Sequence, residues 1–135
     1  MSPLRLVHRL TATVAVASLV TACGGTQDAD VARTATGLLE AFEGGDGAGA
    51  CALLAPPVRT ELEDTSGSPC GEAVLEEDLG ARSGSTEVEV FDTMARAVVG
   101  SETLFLSRFD GRWLVVAAAC DPVAGEPYDC AVGMP

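Results

Sequence analysis

The first twenty-two residues have the pattern of an export signal. Arg5 and Arg9 precede an apolar run from Leu10 to Val20, and small residues follow that run. A basic start, an apolar stretch and small residues in this order are typical of a segment that directs export and is then removed. The apolar run is about eleven residues long, whereas a helix that spans a bilayer needs about twenty. We therefore expect residues 23–135 to fold outside the cytoplasm.

The small residues lead directly into Cys23. Val20-Thr21-Ala22-Cys23 resembles the lipobox of bacterial lipoproteins, in which the cysteine thiol receives a diacylglycerol, the signal is cut before the cysteine and the new amino group is acylated. The resemblance implies that residues 1–22 are a signal peptide and that lipidated Cys23 anchors the chain at the extracytoplasmic face of the cell membrane. Residues 23–29 would comprise the lipidated cysteine and a flexible tether. The alternative is an ordinary export signal followed by a buried cysteine.

Composition narrows the chemistry that is available after the signal is removed. Residues 23–135 suffice for one domain, which we place at 30–135, and they carry a net charge of −14 because all twenty acidic residues lie in them. A surface this acidic repels nucleic acid and anionic lipid, so we expect neither as a partner. The one histidine is His8, within the signal, and the chain has no lysine. Histidine-dependent nucleophilic catalysis, a lysine Schiff base and a histidine-ligated zinc site are therefore excluded, and we expect no cofactor.

The cysteine count agrees with export. If Cys23 carries lipid, four cysteines remain, and four allow three pairings. We favour the local pairs Cys51–Cys70 and Cys120–Cys130, because each closes a segment within one supersecondary unit. Such a bond stabilises the fold by about 3 kcal/mol by restricting the unfolded chain. Four free buried thiols are the alternative, which an oxidising compartment disfavours.

The first half of the domain has helical periodicity. Apolar residues recur at helical spacing between Asp28 and Glu43, which predicts an amphipathic helix there. Asp46 is suited to cap a second helix over residues 47–54. A further helical turn is expected at 58–63, and a short helix at 72–79.

The period changes to that of β-strands after Thr86. Four strands are predicted, over residues 87–90, 94–99, 102–109 and 112–120. Asp110-Gly111 is the strongest short signal for a two-residue hairpin turn. The register that this turn implies pairs Arg108 with Trp113, Ser107 with Leu114, Leu106 with Val115, Phe105 with Val116 and Leu104 with Ala117. Both faces of this hairpin are largely apolar, and residues 121–135 are expected to be irregular.

Helices followed by a strand meander predict an α+β domain with N-terminal helices packed on an antiparallel sheet of about four strands. The segments Leu38–Asp46, Ala50–Leu54 and Asp110–Val115, the last leading to Cys120, look like small lipoproteins of high-GC Gram-positive bacteria. Those proteins are similar to the nuclear transport factor 2-like, or cystatin-like cone, superfamily, in which a curved sheet wraps a helix and often leaves a pocket. The resemblance implies a curved sheet with one apolar face against the helices and the other lining a pocket or a homodimer interface. Enzymes of that superfamily place an aspartate or histidine in the cone, and no residue here matches such a motif, so no catalytic residue is assigned.

Four side chains are candidates for lining that pocket or for packing, namely Phe42, Phe105, Arg108 and Trp113. Arg108 beside Trp113 predicts a cation–π pair worth about 0.5–1 kcal/mol. Ordinary sheet packing is the alternative to a ligand-binding role for this pair.

Three other features have simpler interpretations. Arg96 is expected to pair with Glu87 or Glu89 across the sheet, and Tyr128 to anchor the C-terminal tail. The acidic run at 76–78 is interpreted as a solvated helix face, because calcium requires a shaped loop of oxygen ligands, and no metal site is assigned.

The favoured function is a non-catalytic, lipid-anchored module that binds a small apolar ligand or a protein of the cell envelope. The alternative is a carboxylate-based enzyme, an isomerase or hydrolase with an aspartate or glutamate in the cone. Such an enzyme requires a buried acid with a raised pKa. An accessory structural domain acting through a membrane partner is a third hypothesis.

Overall fold

The computed structural model describes residues 25–80 and 84–134. The predictions on the export signal, on the lipobox and on Cys23 lie outside these residues. Within them, the chain forms helices in its first half and an antiparallel sheet in its second half, which confirms the α+β class.

The described residues contain four α-helices. These are α1 (Gly25–Glu43), α2 (Gly47–Leu53), α3 (Pro56–Ser66) and α4 (Cys70–Ala73), and a 3₁₀ turn (Val74–Glu76) follows α4. The buried positions of α1 are Val31, Ala35, Leu38 and Leu39, which is the apolar face expected from the sequence. Helix α1 ends where Gly45 adopts a left-handed φ of 70° and the amide of Asp46 donates to the carbonyl of Ala41.

Three helix boundaries differ from the prediction. Helix α1 begins at Gly25 and not at Asp28, so residues 25–28 are helical and do not form the expected tether. No proline interrupts this segment, and the helical hydrogen-bond pattern continues through it. Helix α3 is longer than one turn because Pro56 and Pro57 occupy its first turn, where a missing N–H costs nothing. The last helix is shorter than predicted, since it changes to a 3₁₀ turn at Val74.

The sheet has five strands where about four were predicted. They are β1 (Thr86–Phe91), β2 (Met94–Val99), β3 (Glu102–Phe109), β4 (Arg112–Asp121) and β5 (Asp129–Gly133), in the order β1-β2-β3-β4-β5. The fifth strand lies in the tail that was expected to be irregular. Pro122 and Pro127 both fall in the loop before β5, so Asp129–Gly133 keeps the backbone N–H groups that a strand needs.

The β3–β4 hairpin confirms the predicted turn and three of the five predicted residue pairs. Asp110 and Gly111 both have positive φ, as the tight two-residue turn requires. The register is as predicted from Arg108 opposite Trp113 to Leu106 opposite Val115. A bulge at Val116 then places Ala117, and not Val116, opposite Phe105. The pairing predicted for Leu104 and Ala117 is therefore wrong by one residue, because a bulge inserts one unpaired residue into one strand.

One face of the sheet contributes to the main apolar core, and the other, here called the outer face, points away from it. The core-facing residues of β2 and β3 alternate along the strands and include Ala95, Ala97, Val99, Leu104 and Leu106. Helix α1 contacts the first four strands, and its buried residues belong to the same cluster. The alternating positions, among them Arg96 and Phe105, lie on the outer face and are partly exposed.

Both local disulfides are present. Cys51–Cys70 joins α2 to α4 with a Cα–Cα distance of 6.1 Å, and Cys120–Cys130 joins directly opposed residues of β4 and β5. Near the first bond the backbones of α2 and α4 approach so closely that a Cβ on Gly47 would overlap the carbonyl oxygen of Gly71. The glycines of this segment therefore allow the close packing that the disulfide requires.

The helix contact at Gly47 gives a first prediction. Gly47→Ala should destabilise the fold by about 1–3 kcal/mol, because an added methyl group overpacks a backbone contact that cannot move aside easily. Urea denaturation would measure the change in the free energy of unfolding. Gly25→Ala is the control, since a Cβ there has no neighbour within 4 Å. A Gly47→Ala protein as stable as the wild type would show that the α2–α4 contact is looser than described.

Candidate binding site on the outer sheet face

A groove of about 390 Å³ lies on the outer face at β1, β2 and β3. It is lined by Phe91, Met94, Arg96, Phe105 and Tyr128, together with Ala95, whose side chain belongs to the core face. Most of these side chains are apolar, and two of them are unusually exposed: Phe91 is 62 % and Met94 is 46 % accessible to solvent. Sheet alternation explains the arrangement, because Phe91 pairs with Met94 and Arg96 with Phe105 across neighbouring strands.

A polar cluster forms one side of this groove. The Arg96 guanidinium donates to Oε2 of Glu89 from Nε at 2.9 Å and from Nη2 at 2.6 Å, and it donates from Nη1 to the Tyr128 hydroxyl at 3.3 Å. The hydrogen bond to Glu89, and next the one to Tyr128, raise the pKa of Arg96 above its usual value. The predicted pairing of Arg96 with Glu89 is thus confirmed. The cluster holds the arginine side chain across three elements of the outer face.

Tyr128 brings the tail of the chain onto the outer face. Its ring packs edge-on against Phe105 with ring centroids 5.0 Å apart. It lies in the loop between β4 and β5, two residues before the Cys120–Cys130 crosslink. The tail is therefore fixed from two sides, and the prediction that Tyr128 anchors it is confirmed. The sequence did not predict that Tyr128 also lines a groove. Its partners Arg96 and Phe105 are distant in sequence, and only its place two residues before Cys130 drew attention to it.

The four predicted pocket residues do not come together in one site. Phe105 lines the outer groove, whereas Trp113 is buried and Phe42 packs against the core from α1. Arg108 lies 5.7 Å from the centroid of the Trp113 ring, which confirms the predicted cation–π pair. This pair is located where α1 meets the sheet, because Thr34 of α1 donates to the Trp113 carbonyl at 3.3 Å.

A second, more polar groove of about 470 Å³ lies between the first turn of α1 and the sheet. It is lined by Gln27, Asp28, Val88, Val90, Asp92 and Arg108. The Oε1 atom of Gln27 is buried and accepts no hydrogen bond from the described residues. This groove places the beginning of α1 against the turn that joins β1 and β2.

Glu102 is the one charged side chain that is buried among the described residues, with 4 % of its surface accessible. Its Oε2 accepts from the amide of Gly80 at 2.8 Å, and its Oε1 accepts from the amide of Ala119 at 2.5 Å. Ala119 has a left-handed φ of 53°. Both oxygens of the carboxylate thus bind backbone amides. These hydrogen bonds hold Ala119 of β4 in its left-handed conformation and fix Gly80, which precedes β1. No sequence pattern marks Glu102, because its hydrogen-bond donors are backbone amides that any sequence supplies.

The acidic run at 76–78 does not form a metal centre. In the ranges 25–80 and 84–134, no three acidic, cysteine or histidine side chains are grouped so that they could hold a metal ion. Burial, and to a smaller extent the neighbouring charge of Glu76, raise the pKa of Glu77.

Comparison with known proteins gives no relative. No protein-family model, no curated protein and no solved structure matches this chain. Among the described helices, none combines the length and the hydrophobicity that a membrane crossing requires.

The Glu102 contacts give a second prediction. Glu102→Gln should lower the free energy of unfolding by about 2 kcal/mol, because the amide group replaces one charged acceptor with a donor that faces a backbone N–H. Chemical denaturation at neutral pH measures this loss. Glu87→Gln, at an exposed position on β1, should leave stability nearly unchanged. Equal effects of the two substitutions would contradict a structural role for the buried carboxylate.

Proposed function

We propose that this chain is a lipid-anchored lipoprotein of the extracytoplasmic face of the cell membrane. The lipobox-like sequence before Cys23 supports the anchor. The two disulfides of the domain also support export, since such bonds persist in oxidising compartments and are rare in the cytosol.

The domain is proposed to act as a non-catalytic binding module, and the outer groove is the observation that carries this proposal. Solvent-exposed aromatic and methionine side chains next to an oriented arginine form a concave, mainly apolar surface of the kind that binds apolar molecules. A small apolar ligand fits the volume of about 390 Å³. An apolar segment of an envelope protein, or a second copy docked through the sheet, would use the same side chains.

Two observations favour binding over catalysis. Residues 23–135 contain neither histidine nor lysine, so acid–base chemistry would rest on carboxylates or on Tyr128. The buried carboxylate of Glu102 lines a separate polar groove of about 290 Å³, but both of its oxygens already accept hydrogen bonds from backbone amides, which is the arrangement of a structural carboxylate.

We further propose that the domain has the cystatin-like cone architecture suggested by its sequence resemblance. An antiparallel meander with α1 against four strands supports this assignment. The outer groove would then be a feature of the side of the sheet that does not face α1.

The proposed ligand site gives a third prediction. The apolar fluorophore N-phenyl-1-naphthylamine should bind the wild-type domain, and Phe105→Ala should weaken this binding about tenfold, because truncating a central aromatic contact costs more than 1 kcal/mol. Fluorescence titration measures both dissociation constants. Val98→Ala is the matched control, since Val98 lies on the same face of β2 but does not line the groove. If both variants bind equally well, the fluorophore site lies elsewhere. Gel filtration of the wild-type domain at several concentrations is a separate test, which detects a homodimer formed through the sheet.

The proposed anchor gives a fourth prediction. Intact mass spectrometry of the protein from its native membrane should show a chain that starts at Cys23 and is heavier by two or three acyl groups. Reduction should add four hydrogen atoms, two for each disulfide. A mass that corresponds to cleavage at another residue without lipid would contradict the lipoprotein assignment.

A further inference from the structure

The beginning of α1 and two hairpin turns lie at the same end of the domain. We call this region the turn end and define it as the turns at 92–93 and 110–111, the residues that flank them and the first turns of α1. Because the sheet is a meander, the β1–β2 and β3–β4 turns share one end, and the β2–β3 and β4–β5 connections share the other. Gln27 and Asp28 line one groove with Asp92. A smaller groove places Asp30 and Arg33 beside the β3–β4 turn.

The proposed lipidation site is close to the turn end along the chain. Cys23 precedes Gly25, the first residue of α1, by two positions. Two residues span at most about 7 Å when fully extended. An acylated Cys23 therefore holds the turn end, and not the opposite end of the sheet, at the bilayer surface.

The turn end also carries the two most exposed large apolar side chains within the strands, whereas Met134, which is 76 % accessible, follows the end of β5. Phe91 and Met94 flank the β1–β2 turn, with 62 % and 46 % of their surfaces accessible. The transfer of aromatic and other large apolar side chains from water to the boundary between headgroups and acyl chains is favourable. At the opposite end the corresponding exposed residue is Val123, smaller and 39 % accessible, in the β4–β5 loop.

The net charge of the turn end is much smaller than that of the rest of the domain. The turn end has three arginines (Arg33, Arg108 and Arg112) among four aspartates (Asp28, Asp30, Asp92 and Asp110). It is thus almost neutral, whereas the other sixteen acidic residues lie elsewhere in the chain. Only four of the twenty acidic residues therefore lie at the end that the anchor holds near the membrane, where three arginines offset most of their repulsion from anionic lipid.

We propose that the turn end is a second membrane contact, in which Phe91 and Met94 enter the interfacial region of the bilayer that bears the lipid anchor. This inference rests on the proposed lipoprotein assignment. It fixes the orientation of the domain, with α1 and the strands rising from the membrane and the Phe91–Met94 end of the outer groove placed against the lipid.

Quenching by brominated lipid tests the contact. Acylated Phe91→Trp and Val123→Trp proteins, which start at Cys23, are reconstituted in phosphatidylcholine–phosphatidylglycerol vesicles that contain a lipid brominated close to the headgroup. We expect the tryptophan at position 91 to lose about half of its fluorescence, since interfacial side chains lie within about 10 Å of the acyl boundary. The tryptophan at position 123 should lose almost none. Both variants also carry Trp113, which lies near the β3–β4 turn, so the quantity compared is the difference in quenching between the two variants. Equal quenching of the two variants would overturn the proposal.

A measurement on the wild-type sequence removes the dependence on substitutions. In lipid nanodiscs that contain a paramagnetic lipid, backbone amide signals of residues 91–94 and 110–112 should broaden, and those of 100–101 and 123–126 should not. Broadening at the second set, or at both sets equally, would overturn the orientation.

The outcomes separate this inference from the lipoprotein assignment. Acylated Cys23 in the mass spectrum together with an unquenched tryptophan at position 91 overturns the membrane contact alone. If that tryptophan is unquenched by lipid yet protected from iodide, and copies crosslink, the turn end is covered by a second copy. Absence of acylation overturns both the anchor and the contact.

Discussion

The structure depends on the burial of one face of the sheet against α1. The apolar face of α1 and the alternating core positions of β2 and β3 form one cluster, in which Ala95 and Ala97 leave room for a helix to lie close to the sheet. Since successive side chains of a strand point to opposite faces, burying one set directs the other outward. The position of the outer groove therefore follows from this packing. Its outward-facing side chains Phe91 and Met94 are not part of the core that the sheet forms with α1.

The crosslinks and the buried carboxylate stabilise the periphery of this core. The Cys51–Cys70 bond joins short, glycine-rich helices that would have little stability alone. The Cys120–Cys130 bond and Tyr128 fix the tail on the sheet, and Glu102 binds the segment around Gly80 to β4. A domain with a modest core thus holds its loops by a few specific bonds, which leaves the outer face ordered enough to present a defined surface.

The two ends of the domain differ in net charge and in exposed apolar surface. The chain is strongly acidic as a whole, yet the end at which α1 begins is nearly neutral and exposes Phe91 and Met94. A short connection to Cys23 would hold that end at a bilayer, with the acidic remainder projecting outward. Composition alone suggested repulsion from anionic lipid, whereas the fold brings three arginines together with four aspartates at the end where α1 begins.

The sequence by itself determined the features that arise from local periodicity and turn chemistry. These include the apolar face of α1, the Asp46 cap, the bounds of β2 and β3, the Asp110-Gly111 turn and both local disulfides. Only the tertiary structure decided the bulge at Val116, the fifth strand and the partners of Glu102 and Tyr128. The first group depends on interactions between residues close in the chain, which a pattern can report. The second depends on which backbone groups and rings meet after the sheet has formed, and the hydrogen bonds of Glu102 and Tyr128 join residues that are 17 to 32 positions apart.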